Sequence, residues 1–71
     1  MKDFDVVNYV LAAALKADKL EPENLGLVMT YLILIDAPDL YFQYVILRMS
    51  QNLGSLKLYD ISMLLDRSNS L

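Results

Sequence analysis

Apolar residues recur every three or four positions along this chain, in four blocks separated by short polar or proline-containing breaks. The first block predicts a helix over about 3–17. Phe4, Val7, Leu11, Ala14 and Leu15 share one side, and Asn8, Ala12 and Lys16 lie opposite. Asp3 or Asp5 is placed to cap its exposed amides. The second block predicts a helix over about 22–35. Pro22 suits a first turn, and Glu21 and Glu23 suit the positive end of the helix dipole. Leu25, Val28, Met29, Leu32 and Ile35 form its stripe, and Leu27, Tyr31 and Leu34 fall on the other side. A helix apolar nearly all round reads as a central element. Gly26 inside it costs about 1 kcal/mol relative to Ala. A close helix–helix approach is the expected compensation.

The third helix is expected over about 38–53, with Asp36 or Ala37 at its cap, Pro38 opening it and Gly54 ending it. Leu40, Tyr44, Leu47 and Gln51 line up along it, with Tyr41, Val45 and Met49 beside them. The fourth is expected over about 57–67 with the stripe Leu58, Ile61, Leu64 and Leu65, followed by a frayed Ser68-Asn69-Ser70 tail. All connections are a few residues long, so consecutive helices should form antiparallel hairpins. The expected fold is all-α: two stacked antiparallel helical hairpins, as a short piece of α-solenoid or a compact four-helix array. One helical domain over 1–71 accounts for the whole chain.

A shift of 36 positions superposes the apolar pattern on itself. Phe4 falls on Leu40, Val10 on Ile46, Leu25 on Ile61 and Val28 on Leu64. Only Asp3, Leu11 and Leu20 match identically over 35 aligned pairs, so pattern and turn phase carry the signal. Two helices per unit at this period belong to the α-solenoid class, with units at about 1–36 and 37–71.

Within the first unit, Pro22, Asn24, Leu25 and Gly26 precede an apolar run, and Pro38 then opens the next helix. This arrangement resembles the helix-to-helix passage of octotricopeptide and heptatricopeptide repeats, helical pairs found in organellar RNA-associated proteins. The second unit keeps Asp60, Ile61 and Ser62 in the matching places but has Leu58 where Pro22 stood. The resemblance spans almost the whole chain. It implies a mitochondrial or plastid ribonucleoprotein setting.

Composition narrows the function. With 71 residues and 56% apolar content, the chain is too short to hide its hydrophobic side chains by itself. It has no Cys and no His, which removes disulfides, thiolate metal sites and the commonest zinc ligand and general base. The net charge is −3, and Lys2, Lys16, Lys19, Arg48, Lys57 and Arg67 are scattered. That pattern lacks the basic face a nucleic-acid binder uses. No DNA partner is expected, and RNA only within a larger complex. The longest apolar run, Leu25 to Ile35, spans about 16 Å, too short for a membrane crossing. The N-terminus has neither a signal-peptide nor a transit-peptide pattern. An intracellular setting is expected, with the mitochondrial matrix implied by the resemblance.

Chemistry-bearing patterns are sparse. The pairs Asp3/Asp5, Glu21/Glu23 and Asp36/Asp39 each fall at an expected helix start, where capping and the dipole account for them. Leu53-Gly-Ser-Leu56 resembles an acyl-carrier attachment site in outline, but Gly54 stands where the Asp before the serine belongs. No phosphate loop or nucleophile–base pair is present, so no enzyme activity, cofactor or metal is expected. The five tyrosines could stack bases, but core and interface placement suits them better.

The expected role is therefore a structural or protein-interaction subunit of a larger assembly, docking through helices 2 to 4 or associating with itself. Tyr41, Tyr44 and Arg48 share one face of helix 3, with Phe42, Val45 and Met49 left for the core. They are the first candidate partner-binding residues. Leu58, Ile61 and Leu65 on the open side of helix 4 are the second set. Direct RNA binding within a longer array, or a free acidic inhibitor masking a basic partner, are the alternatives.

Overall fold

The computed structural model describes residues 3–70, with side chains from residue 5 onward. Among these residues the fold is all-α, with helices α1 (Asp3–Leu15), α2 (Pro22–Leu34), α3 (Asp39–Ser50) and α4 (Leu58–Ser70). Two short 3-10 turns, Ala17–Lys19 and Leu53–Ser55, join α1 to α2 and α3 to α4. The Asp3 cap and the Phe4 position in the α1 stripe lie outside the described side chains.

α3 packs against α1, α2 and α4, while α1 also meets α2 and α2 meets α4. The core is built from Val10 and Ala14 of α1, Leu25, Met29 and Leu32 of α2, Phe42, Val45 and Met49 of α3, and Leu64 of α4. Phe42, Val45 and Met49 are thus internal, as the α3 pattern predicts. No polar or charged residue among those described is fully buried, so this core has no hydrogen-bonded network to specify its register. Shape must do so. Small residues therefore matter: Ala14 is fully buried, and the Asp60 carboxyl fills the space beside Gly26.

The end of α2 is a Schellman motif. The Ala37 N–H donates to the Leu32 carbonyl at 3.0 Å and the Asp36 N–H to the Ile33 carbonyl at 3.1 Å. Asp36 takes the left-handed conformation this requires, with φ 54°. Ala37 is buried beside the core Leu32, giving the apolar contact that accompanies such ends. Asp36 therefore closes α2 and does not cap α3, contrary to the expectation from its position before Pro38. Pro38 is itself extended (φ −60°, ψ 152°) and stands just before α3. Its ring fixes φ, and its carbonyl accepts from the Tyr41 N–H at 3.1 Å.

The expected helix ends shift for similar reasons. α1 and α3 stop at Leu15 and Ser50, before the positions anticipated, because 3-10 turns follow each. Gly54 lies within the second of these turns and does not end α3. Asn52 helps end it, donating from its side-chain amide to the Arg48 carbonyl at 2.9 Å. At the other extreme, α4 runs to Ser70, so Ser68, Asn69 and Ser70 are helical and not a frayed tail. The Ser70 hydroxyl donates to the Asp66 carbonyl at 3.0 Å within that last turn. Glu21 precedes α2 without a side-chain capping bond, so the Glu21/Glu23 pair acts on α2 through its dipole alone.

One expectation about α2 fails outright. It is not enclosed on all sides. Leu25, Met29 and Leu32 are buried, whereas Leu27, Tyr31 and Leu34 face outward, Leu34 at 73% exposure. A chain of this length has only three other helices, and α1, α3 and α4 together cover one side of α2.

Candidate protein-interaction surfaces

Two apolar regions remain uncovered. The first is a groove of about 750 Å³ between α1 and α2. Val6, Tyr9 and Ala13 line it from α1, and Leu27, Val28 and Tyr31 from α2. Asp5 and Asn24 supply its polar rim. Tyr9 is 77% exposed, far more than packing within its own hairpin would leave it. Sequence reading missed this groove because Leu27 and Tyr31 were assigned to an enclosed face. The signal was present as an i, i+4 pair on the side of α2 away from Leu25 and Met29.

The second region is the outer side of α3 and α4. Leu58 and Leu65 are exposed and Ile61 between them is half-buried, so the i, i+3, i+7 stripe of α4 is open at both ends and partly covered at its centre. Leu40, Tyr44 and Leu47, at i, i+4 and i+7, form an exposed line on α3. The trio Tyr41, Tyr44 and Arg48 is divided. Tyr44 is exposed, Tyr41 is half-buried against the core, and Arg48 is half-buried with its Nε shielded and without an acceptor. Of the three, Tyr44 alone is freely presented.

Electrostatics add little to either region. Lys16, Lys19 and Lys57 are exposed but separate, and Arg67 turns inward. Its guanidinium carbon lies 4.3 Å from the centre of the Phe42 ring. The ring face attracts the cation but takes no hydrogen bond from the buried Arg67 Nε, which has no acceptor. A smaller recess between α2 and α4, lined by Glu23, Gly26, Thr30, Ser55, Lys57 and Asp60, mixes both charge signs. Among the described residues, no three metal-ligating side chains of the His, Cys, Asp or Glu type gather, and no helix is long and apolar enough to cross a membrane.

No known family model matches this chain. Neither the curated proteins nor the solved structures contain a significant match to it. The surfaces must therefore be read from their own chemistry, which is apolar, aromatic at its edges and weakly charged.

Proposed function

We propose that this protein is a non-enzymatic helical-repeat module that acts as a structural or protein-interaction subunit of a larger assembly. The observation that carries the proposal is the apolar surface left over after the core is complete. Leu34, Leu47, Leu58 and Leu65 stay exposed although the core already holds Leu25, Met29, Leu32 and Phe42. So many large apolar side chains left exposed on a small protein point to association with a partner. The aromatic rim of Tyr9, Tyr31 and Tyr44 has the composition of interface anchors.

The repeat reading draws support from the element positions. α1 and α3 begin 36 positions apart, as do the two 3-10 turns and as do α2 and α4. The residues after the turns, Leu20 and Leu56, share an extended conformation (φ −84°, ψ 147° and φ −93°, ψ 151°). The resemblance to organellar helical-pair repeats suggests that the assembly is a ribonucleoprotein of a mitochondrion or plastid. Its acidic surface then favours a seat on protein over a seat on RNA.

The test is site-specific photo-crosslinking in cells. A photoreactive residue is placed at Tyr44 or Leu58, and at the exposed polar position Asn8 as control. The proposal expects a discrete protein adduct from Tyr44 or Leu58 that Asn8 does not give. Adducts to RNA at the same positions would transfer the role to direct RNA binding. A free monomer without position-dependent adducts overturns the proposal.

A further inference from the structure

We infer that the α1–α2 groove is the seat for the outer α3–α4 face of a second copy of this chain, so that copies associate head to tail. The inference rests on the repeat reading above in one respect: it treats the two helix pairs as equivalent at an offset of 36 residues.

The molecule already contains one such seat, and it is filled. Carried forward by 36 positions, the groove residues Val6, Tyr9 and Ala13 become Phe42, Val45 and Met49. All three are buried. Leu27 and Val28 become Met63 and Leu64, half-buried and buried. What covers this second groove is the inner side of the first pair. The Thr30 hydroxyl lies 3.4 Å from the Met63 sulfur, the Gly26 backbone passes beneath the Asp60 carboxyl, and Leu25 and Met29 complete the core. The contact inside the molecule thus shows what fits a groove of this shape: the flank of another helical pair.

The chain presents a second flank of that kind on α3 and α4. Leu25 and Met29 become Ile61 and Leu65, and Leu11 and Ala17 become Leu47 and Leu53. Leu25 and Met29 are fully buried, while Leu65 is 60% exposed. The close-approach positions stay small, with Ser62 for Gly26 and Ser50 for Ala14. Ser50 can be covered without an orphaned donor, because its hydroxyl already donates to the Ile46 carbonyl at 2.9 Å. In the vacant seat Asn24 takes the place of Asp60. An amide there can bond the Ser62 hydroxyl of the incoming copy. Ser68 for Leu32 and Asp66 for Thr30 make the flank more polar than its internal counterpart, so the contact between copies is weaker than the one within the fold.

Groove and flank are different surfaces, so the contact is heterologous. Each added copy leaves one of each free, and growth does not stop at a pair. Two blocked variants test this. Leu27→Arg obstructs the groove and Leu65→Arg obstructs the flank, both at exposed positions that the core does not need. In sedimentation, the unmodified chain should grow beyond a dimer as concentration rises, and each variant alone should stay monomeric. Their equimolar mixture should form a one-to-one pair and nothing larger, because the mixture has one intact groove and one intact flank per pair. A dimer formed by either variant alone would mean like-to-like contact and overturn the inference. So would a mixture that stays monomeric while both variants keep their helix content. Should either arginine reduce helix content, Tyr9→Lys and Leu53→Lys address the same two surfaces. An unmodified chain that is monomeric at every concentration removes the head-to-tail contact but leaves the subunit proposal standing, since crosslinking at Tyr44 and Leu58 reads that separately.

Discussion

The carboxyl group of Asp60 occupies the space in which a side chain at residue 26 would stand. Gly26 is buried within α2, and Asp60 belongs to the first turn of α4, so the absence of one side chain leaves room for the Asp60 carboxyl over α2. A second link lies one turn along. The Thr30 hydroxyl donates to the Gly26 carbonyl at 2.9 Å, which leaves its 3.4 Å approach to Met63 as a packing contact. Position 26 thus trades helix propensity for proximity.

A double-substitution cycle follows. Gly26→Ala displaces only the carboxyl end of the Asp60 side chain, so it should change stability by less than about 1 kcal/mol, the cost of turning that carboxyl aside offsetting a propensity gain of about 1 kcal/mol. Asp60→Ala alone should cost less than about 1 kcal/mol, the loss of an acidic group at a helix start. With Asp60→Ala in place the space is vacant, so adding Gly26→Ala there should gain the full propensity difference of about 1 kcal/mol. Chemical denaturation of the four proteins measures the coupling. Strictly additive effects would mean that the Asp60 carboxyl does not resist a side chain at position 26.

Asp36 supplies an independent test of local strain. Its left-handed backbone is costly for a residue with a Cβ, and its negative charge lies at the negative end of the α2 dipole. Asp36→Gly should therefore stabilise the fold by about 0.5–1 kcal/mol, read as a rise of several degrees in melting temperature. Asp36→Val should destabilise it, since a β-branched residue resists positive φ. Should glycine lower the melting temperature instead, the Asp36 side chain has a stabilising partner.

These two positions show what could be read before the fold was known. A glycine within an apolar run implied a close helix approach; what the structure places there is the side-chain carboxyl of Asp60, 34 positions away, to which nothing near Gly26 pointed. The helices themselves were legible because period and proline placement agree along most of the chain. Their ends were not. Asp36 and Pro38 fit a helix start by composition, while the backbone uses them as the exit from α2 and the extended approach to α3. The exposed α4 stripe was anticipated from Leu58, Ile61 and Leu65. The groove was not, because periodicity shows that α2 has two apolar sides but not which side three neighbours can reach.

Among the described residues, Arg67 is the cation with a defined aromatic contact. Its stem and guanidinium cover Phe42, yet its buried Nε meets no acceptor. Packing and charge therefore work against each other. Arg67→Met keeps a long stem and adds a sulfur–aromatic contact, so it should change stability by less than about 0.5 kcal/mol. Arg67→Ala uncovers the ring and should cost about 1–2 kcal/mol. If Met is as costly as Ala, the cation itself is the stabilising component.

Tyr41 and Tyr44 separate folding from association on a single helix. They stand three positions apart on α3, but Tyr41 packs on the core and Tyr44 is exposed. Tyr41→Ala should therefore cost about 1–2 kcal/mol of stability, the loss of a half-buried aromatic side chain. Tyr44→Ala should leave the melting temperature within about a degree, since a substitution at an exposed site away from special features changes little. The position equivalent to Tyr44 on α1 is Asn8, which is exposed and lies outside the groove. Head-to-tail association should thus be unaffected by Tyr44→Ala, while crosslinking of a different protein from Leu58 should fall. An exposed aromatic side chain becomes an anchor only when a partner pocket encloses it, and its removal then weakens binding by about 2 kcal/mol or more. Parallel melts, sedimentation and crosslinking on the two variants distinguish the roles. A Tyr44→Ala protein that melts early would place this residue among those that hold the fold. The partner contact would then rest on the α4 stripe alone.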